Sequence, residues 1–162
     1  MGAGTNTDLD TARGELTYVD YSAEFPELEK SRYKAVVYLS FSSSIEVRRI
    51  MEDFALIEQS IPAPSVFIID VINYQDMYSI TSALDSILAA QSNLFRKKHH
   101  QFTLLNPANK VIVTLAEKVM HLTKSTMEFI FVEDGARALA EAKTKIHEFL
   151  ATSAAQKSAA DE

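Results

Sequence analysis

The run SVFIIDVI at residues 65–72 constrains the fold of this chain more than any other stretch. Seven apolar or small residues surround a single carboxylate, Asp70, with no polar alternation. A strand of that kind has no solvent face. It belongs in the middle of a sheet covered on both sides, the usual setting of parallel strands. Parallel strands need crossovers, and the flanking segments supply them. Residues 42–60 carry Val47, Ile50, Met51, Phe54 and Ile57 at helical spacing. Residues 76–95 carry Met77, Ile80, Leu84, Ile87, Leu88 and Gln91 on one helical face.

The rest of the chain continues the alternation. Residues 16–21 (LTYVDY) alternate apolar and polar, which suits an edge strand. Residues 34–41 (KAVVYLSF) are β-branched and aromatic and form a second strand. Ser43 and Glu46 fit a capping box, and the IPAP segment at 61–64 ends the first helix. Strands are expected at 101–105 and 128–132. Asn106-Pro107 is a helix-start signal, followed by Ile112, Leu115, Ala116, Val119 and Leu122 on one face. Asp134 caps a last helix with Ala138, Leu139, Ala142, Ile146, Phe149 and Leu150 inward. The expected class is α/β: a single open, mostly parallel sheet with alternating helices, the first strand pairing antiparallel.

The 162 residues read as one domain, residues 15–150, between a polar N-terminal segment at 1–14, expected to be disordered, and an Ala-rich tail at 151–162. Composition removes several function classes. No Cys excludes disulfides, thiolate metal sites and Cys nucleophiles. A net charge of −6 argues against a general nucleic-acid surface. None of the four glycines lies between Glu15 and Asp134, which removes a Gly-rich phosphate loop from the body of the chain. No apolar run is long enough to span a bilayer, and the polar start does not resemble a signal peptide, so a cytoplasmic location is expected.

Few residues carry a chemical signal. Asp70 stands at the carboxyl end of the buried strand, where α/β proteins place ligands. A receiver-type phosphoacceptor there needs a companion acidic pair after the preceding strand, and Phe41-Ser42-Ser43-Ser44 offers none. The plain expectation is that Asp70 hydrogen-bonds the loop that follows. The densest polar patch lies just beyond, from Asn73 through Asp76, Tyr78, Ser79, Thr81 and Ser82. Hydroxyls in the first turn of a helix meet free N–H groups and partial positive charge, so a phosphate is tolerated there. The run Arg96-Lys97-Lys98-His99-His100 reads as a solvated helix end. His99 and His100 would diverge on a helix, and His121 and His147 have no carboxylate at ligand spacing, so neither a metal site nor a cofactor is expected.

Three stretches in order carry a resemblance: SVFIIDVINYQDMYSITSALDSIL, FTLLNPANKVIVTLAEKVMHL and MEFIFVEDGARALAEA. Together the arrangement resembles the STAS domain, the fold of bacterial anti-anti-sigma factors, across about residues 16–150. That resemblance implies a non-enzymatic regulatory module that docks a protein partner, a kinase-type anti-sigma factor, through residues 73–82. It places the phosphoacceptor at Ser79, with Asp70, Asn73, Asp76, Tyr78, Thr81 and Ser82 in the docking surface. The local motif departs from the family's Asp-Ser-Ser-Gly pattern: Tyr78 stands at the Asp position, Ile80 follows, and no Gly is present. The alternative is a small-molecule or lipid-binding domain of the same fold, holding an apolar ligand in a cleft between helices and sheet.

Overall fold

The computed structural model describes residues 16–41, 47–72, 84–108, 110, 113–114, 117–118 and 127–161. Five strands form one sheet: β1 (Leu16–Asp20), β2 (Val36–Phe41), β3 (Val66–Asp70), β4 (His100–Leu105) and β5 (Met127–Phe131), in spatial order β1-β2-β3-β4-β5. β1 runs antiparallel to β2, with Leu16 opposite Phe41, and all other pairings are parallel. The expected α/β class, the edge position of the first strand and its antiparallel pairing are all observed. β3 is central and buried along its whole length, as its unbroken apolar run requires.

Strands laid down in sequence order put successive crossovers on one face, because crossovers of parallel strands share one hand. The helices α1 (Val47–Gln59) and α2 (Leu84–Arg96) accordingly pack together on one side. There Ile50, Phe54, Ile57 and Leu94 meet Val37, Leu39, Phe67 and Ile69 of the sheet. Fully burying each such side chain contributes about 1.5–3 kcal/mol. Leu94, wholly buried, is absent from the apolar face expected for α2, whose periodicity was set by residues nearer its start.

The other face is left to α3 (Gly135–Asp161). Asp134 Oδ1 accepts the Ala136 N–H at 3.0 Å and caps this helix as expected. Ala138, Ala142, Ile146 and Leu150 lie wholly buried against Val66, Ile68, Phe102, Leu104 and Ile130. Two alanines at the contact let the helix approach the sheet closely. Beyond β1 the chain forms two 3-10 turns, Ser22–Glu24 and Pro26–Lys30. Lys143 and His147 of α3 clamp them, Lys143 by an ion pair to Glu24 at 3.0 Å and His147 by a hydrogen bond to Glu27 at 2.7 Å. The helix continues without a break through the Ala-rich segment as far as Asp161.

The end of α2 departs from the sequence reading. Lys98 N–H donates to Phe95 O at 3.0 Å and His99 N–H to Leu94 O at 3.1 Å. Those two bonds define a Schellman cap, with Lys98 in the left-handed region at φ 63°. Such a cap brings the residue after the turn back against the helix, so His99 is carried inward onto Leu94. His99 and His100 are buried, not solvated, and the basic run is the junction between α2 and β4 rather than a free helix end. Holding a non-glycine residue in that conformation costs roughly 1–2 kcal/mol.

Candidate functional site

Asp70 is the last residue of β3 and is only 7% exposed. Its Oδ2 accepts the Tyr38 hydroxyl at 2.7 Å, and its Oδ1 accepts the Ile72 N–H at 3.0 Å. The second bond closes a local turn of the kind Asp side chains favour. It directs the backbone as it leaves the sheet. Burial, reinforced by the adjacent Asp70 carboxylate, pushes the Tyr38 hydroxyl well above its ordinary pKa. The phenol therefore keeps its proton and acts as the donor. Ser40 lies opposite Asp70 on β2, and Leu104 opposite it on β4. Both carboxylate oxygens are thus engaged by the fold, which matches the plain expectation for this residue.

Of the other sequence-derived site residues, Asn73, Asp76, Tyr78, Ser79, Thr81 and Ser82 lie outside the described residues. The structure places the point from which that segment departs, at Ile72 on the carboxyl end of the central strand. Asn106 Oδ1 accepts the Ala108 N–H at 2.9 Å, the bond expected of a helix-start Asn, at the end of the adjacent strand.

A second cluster, at the opposite end of the sheet, was not anticipated. Glu58 of α1 has a side chain only 2% exposed. Its Oε2 lies 2.7 Å from Lys97 Nζ and 3.4 Å from His99 Nε2, and its Oε1 accepts Asn93 Nδ2 at 3.3 Å. His99 Nδ1 accepts the Ser65 N–H at 2.9 Å. An imidazole that accepts at Nδ1 carries its proton on Nε2 when neutral. Nε2 is within ion-pair distance of Glu58 without hydrogen-bond geometry. Burial lowers the His99 pKa, and Glu58 opposes that shift in part. The available signal was the position of Glu58 itself, one turn beyond Phe54 on the inner side of the helix.

The remaining histidines of the described residues are also paired. His100 Nε2 lies 2.8 Å from Glu128 Oε2, and its ring stacks on Phe149 at 4.1 Å between centroids. Burial lowers its pKa as well. His147 meets Glu27 from 120 residues away, so a carboxylate partner exists that sequence spacing could not show. These are one-to-one pairs. Among the described residues no three His, Asp or Glu side chains gather in a metal-binding arrangement. Nor is any helix among them long and apolar enough to cross a membrane.

Comparison with protein-family models, with curated proteins and with solved structures finds no match to this chain.

Proposed function

We propose that the chain is a non-enzymatic regulatory module of STAS-like design, docking a protein partner through residues 73–82 at the carboxyl end of β3. One observation carries this reading. Asp70, the sole acidic residue in the central strand, has both oxygens committed to Tyr38 and to the Ile72 N–H. Its role is to aim the outgoing backbone, not to react. The strand order and the antiparallel β1 agree with the resemblance, as does the final helix on the opposite face. The described parts of both sheet faces are filled by the chain's own side chains, which favours a surface over an internal apolar cleft.

In this reading Ser79 is the switch. A phosphate adds nearly two negative charges to the docking face and repels the partner. The test is mass spectrometry of the tagged protein from its own cells, combined with a binding assay on the recovered partner. Phosphate on Ser79, with a kinase-type partner whose binding drops in Ser79→Asp, is the expected result. That variant should keep its unfolding free energy within about 1 kcal/mol of wild type, as for an ordinary surface change. A Ser79→Asp protein that binds its partner as tightly as wild type overturns the switch. Stoichiometric lipid in organic extracts, with no partner, would replace the whole reading by the ligand-binding one.

A further inference from the structure

β5 is the last strand of the sheet, so one of its two backbone edges has no strand beside it among the described residues. The Val132 N–H donates to Leu105 O at 3.0 Å. Backbone groups alternate in direction along a strand, so Glu128 and Ile130 also bond to β4. Met127, Phe129 and Phe131 therefore aim their N–H and C=O groups outward. The same three residues share a side-chain face. Phe129 packs against the core beneath α1 and α2, and its ring centroid lies 6.2 Å from that of Phe131. Phe131 is 44% exposed.

Open strand edges template pairing with another chain, and proteins commonly guard them with Lys, Pro or a bulge. The sequence MEFIF carries no Lys and no Pro, and its register on β4 runs from Met127 to Phe131 without a bulge. Its one charged residue, Glu128, lies on the α3 face, where Oε2 is 2.8 Å from His100 Nε2. Of the two sheet edges, only β5 carries one of the large exposed apolar side chains of the described residues.

We propose that β5 pairs antiparallel with β5 of a second copy of this chain, about a two-fold axis at Phe129, so that two sheets become one. Outward-aimed residues of the two strands must oppose each other. Centring on Phe129 meets that condition over the whole strand: Met127 faces the second copy's Phe131, and Glu128 faces its Ile130. About six inter-strand hydrogen bonds then close. The two Phe129 rings form a cross-strand aromatic pair, and Met127 covers the exposed Phe131. Centring on Glu128 sets two carboxylates face to face, which is unfavourable. Centring on Ile130 pairs only residues 129–131. Full overlap, matched edge groups and no facing carboxylates are properties of this strand against itself, which makes a second copy the occupant. Such a contact is isologous and closes at two chains. A single short strand pair lies at the small end of interfaces, so the dimer depends on concentration.

Sedimentation equilibrium of the full chain, from about 10 μM to about 1 mM, should show the average mass rising toward twice the monomer value. Phe131→Lys charges an exposed edge position and should weaken the dimer about tenfold or more while the fold is kept. The chain has no Cys, so single cysteines can locate the axis. Two Cα atoms paired at position 129 lie about 5.5 Å apart, within disulfide reach, whereas two at position 131 are offset by about 13 Å along the strand. Phe129→Cys should therefore cross-link under mild oxidation about tenfold faster than Phe131→Cys. If Phe129→Cys does not fold, the Phe131→Lys comparison decides alone. A monomer at every concentration overturns the proposal, as does a dimer indifferent to Phe131→Lys or equal cross-linking of the two cysteine variants. A monomer whose Phe129 and Phe131 amides resist hydrogen exchange would assign the edge to another segment of this chain. A complex with a different protein that Phe131→Lys disrupts, with no dimer, would assign it to that protein. Either result overturns the dimer.

Discussion

Ser65 donates its backbone N–H to Nδ1 of His99 at 2.9 Å, and this bond decides how a wholly buried imidazole responds to acid. Nδ1 is an acceptor, so a second proton placed there would face another donor. The ring must then turn or leave, and Ser65 loses its partner at the entry to the central strand.

The consequence is a pH dependence with a defined sign. Burial lowers the folded-state pKa of His99 below 6.5, and that of His100 likewise. The unfolded chain therefore binds more protons than the native one as pH falls through about 6.5, and stability declines with falling pH. The decline continues until the folded-state values are passed. Urea midpoints should drop between about pH 6.5 and pH 5. His99→Asn keeps an acceptor for the Ser65 N–H but does not titrate, so its midpoint should be lower at pH 7 and fall less steeply. An equal slope in that variant would assign the effect elsewhere.

The half-buried pair Glu58–Lys97 and the exposed pair Arg48–Asp85 should behave differently. Glu58 is 2% exposed at its side chain, whereas Asp85 is 77% exposed. Glu58→Ala leaves Asn93 without its acceptor and Lys97 without its ion-pair partner at the junction of α1 and α2. It should destabilise by about 2–3 kcal/mol. Asp85→Ala should change stability by less than about 0.5 kcal/mol, because water screens the pair it removes. Paired chemical denaturation curves would check both values.

The Tyr38–Asp70 bond gives a third test. Tyr38→Phe leaves a buried carboxylate oxygen without its donor and should cost about 1–2 kcal/mol. Asp70→Asn still accepts the Ile72 N–H through its remaining oxygen, and should cost less than Asp70→Ala, about 2–3 kcal/mol, which loses both bonds. If Asp70 is a positioning residue for residues 73–82, Asp70→Asn also retains partner binding while Asp70→Ala weakens it.

The strands and helices were readable because their signals are local. The buried run at 65–72, the alternation at 16–21 and the cap at Asp134 each report a pattern within a few residues. The structure returns them as β3, β1 and the start of α3. The Asp70 side chain was readable for the same reason, since its Ile72 contact spans two residues. Its Tyr38 contact spans 32 residues and had no local trace.

The basic run at 96–100 shows where local reading stops. Charge and position both suit a helix end facing water. A Schellman cap instead turned the backbone so that two histidines entered the interior while Lys98 stayed out. The cap was hidden because its left-handed position holds Lys instead of glycine. Leu94, by contrast, stands seven residues after Ile87 and three after Gln91, on the same helical face, so the spacing did carry its signal.

Sequence by itself determined the class of this fold, because hydrophobic periodicity fixes which segments are helix or strand and which faces turn inward. Only the tertiary structure decided where the charges go. Glu58 meets Lys97 across 39 residues, His99 meets Ser65 across 34, and His147 meets Glu27 across 120. Those pairings depend on which elements the sheet order brings side by side. Apolar burial is non-directional and leaves a repeating pattern in the chain, whereas a hydrogen bond needs one particular partner at one distance.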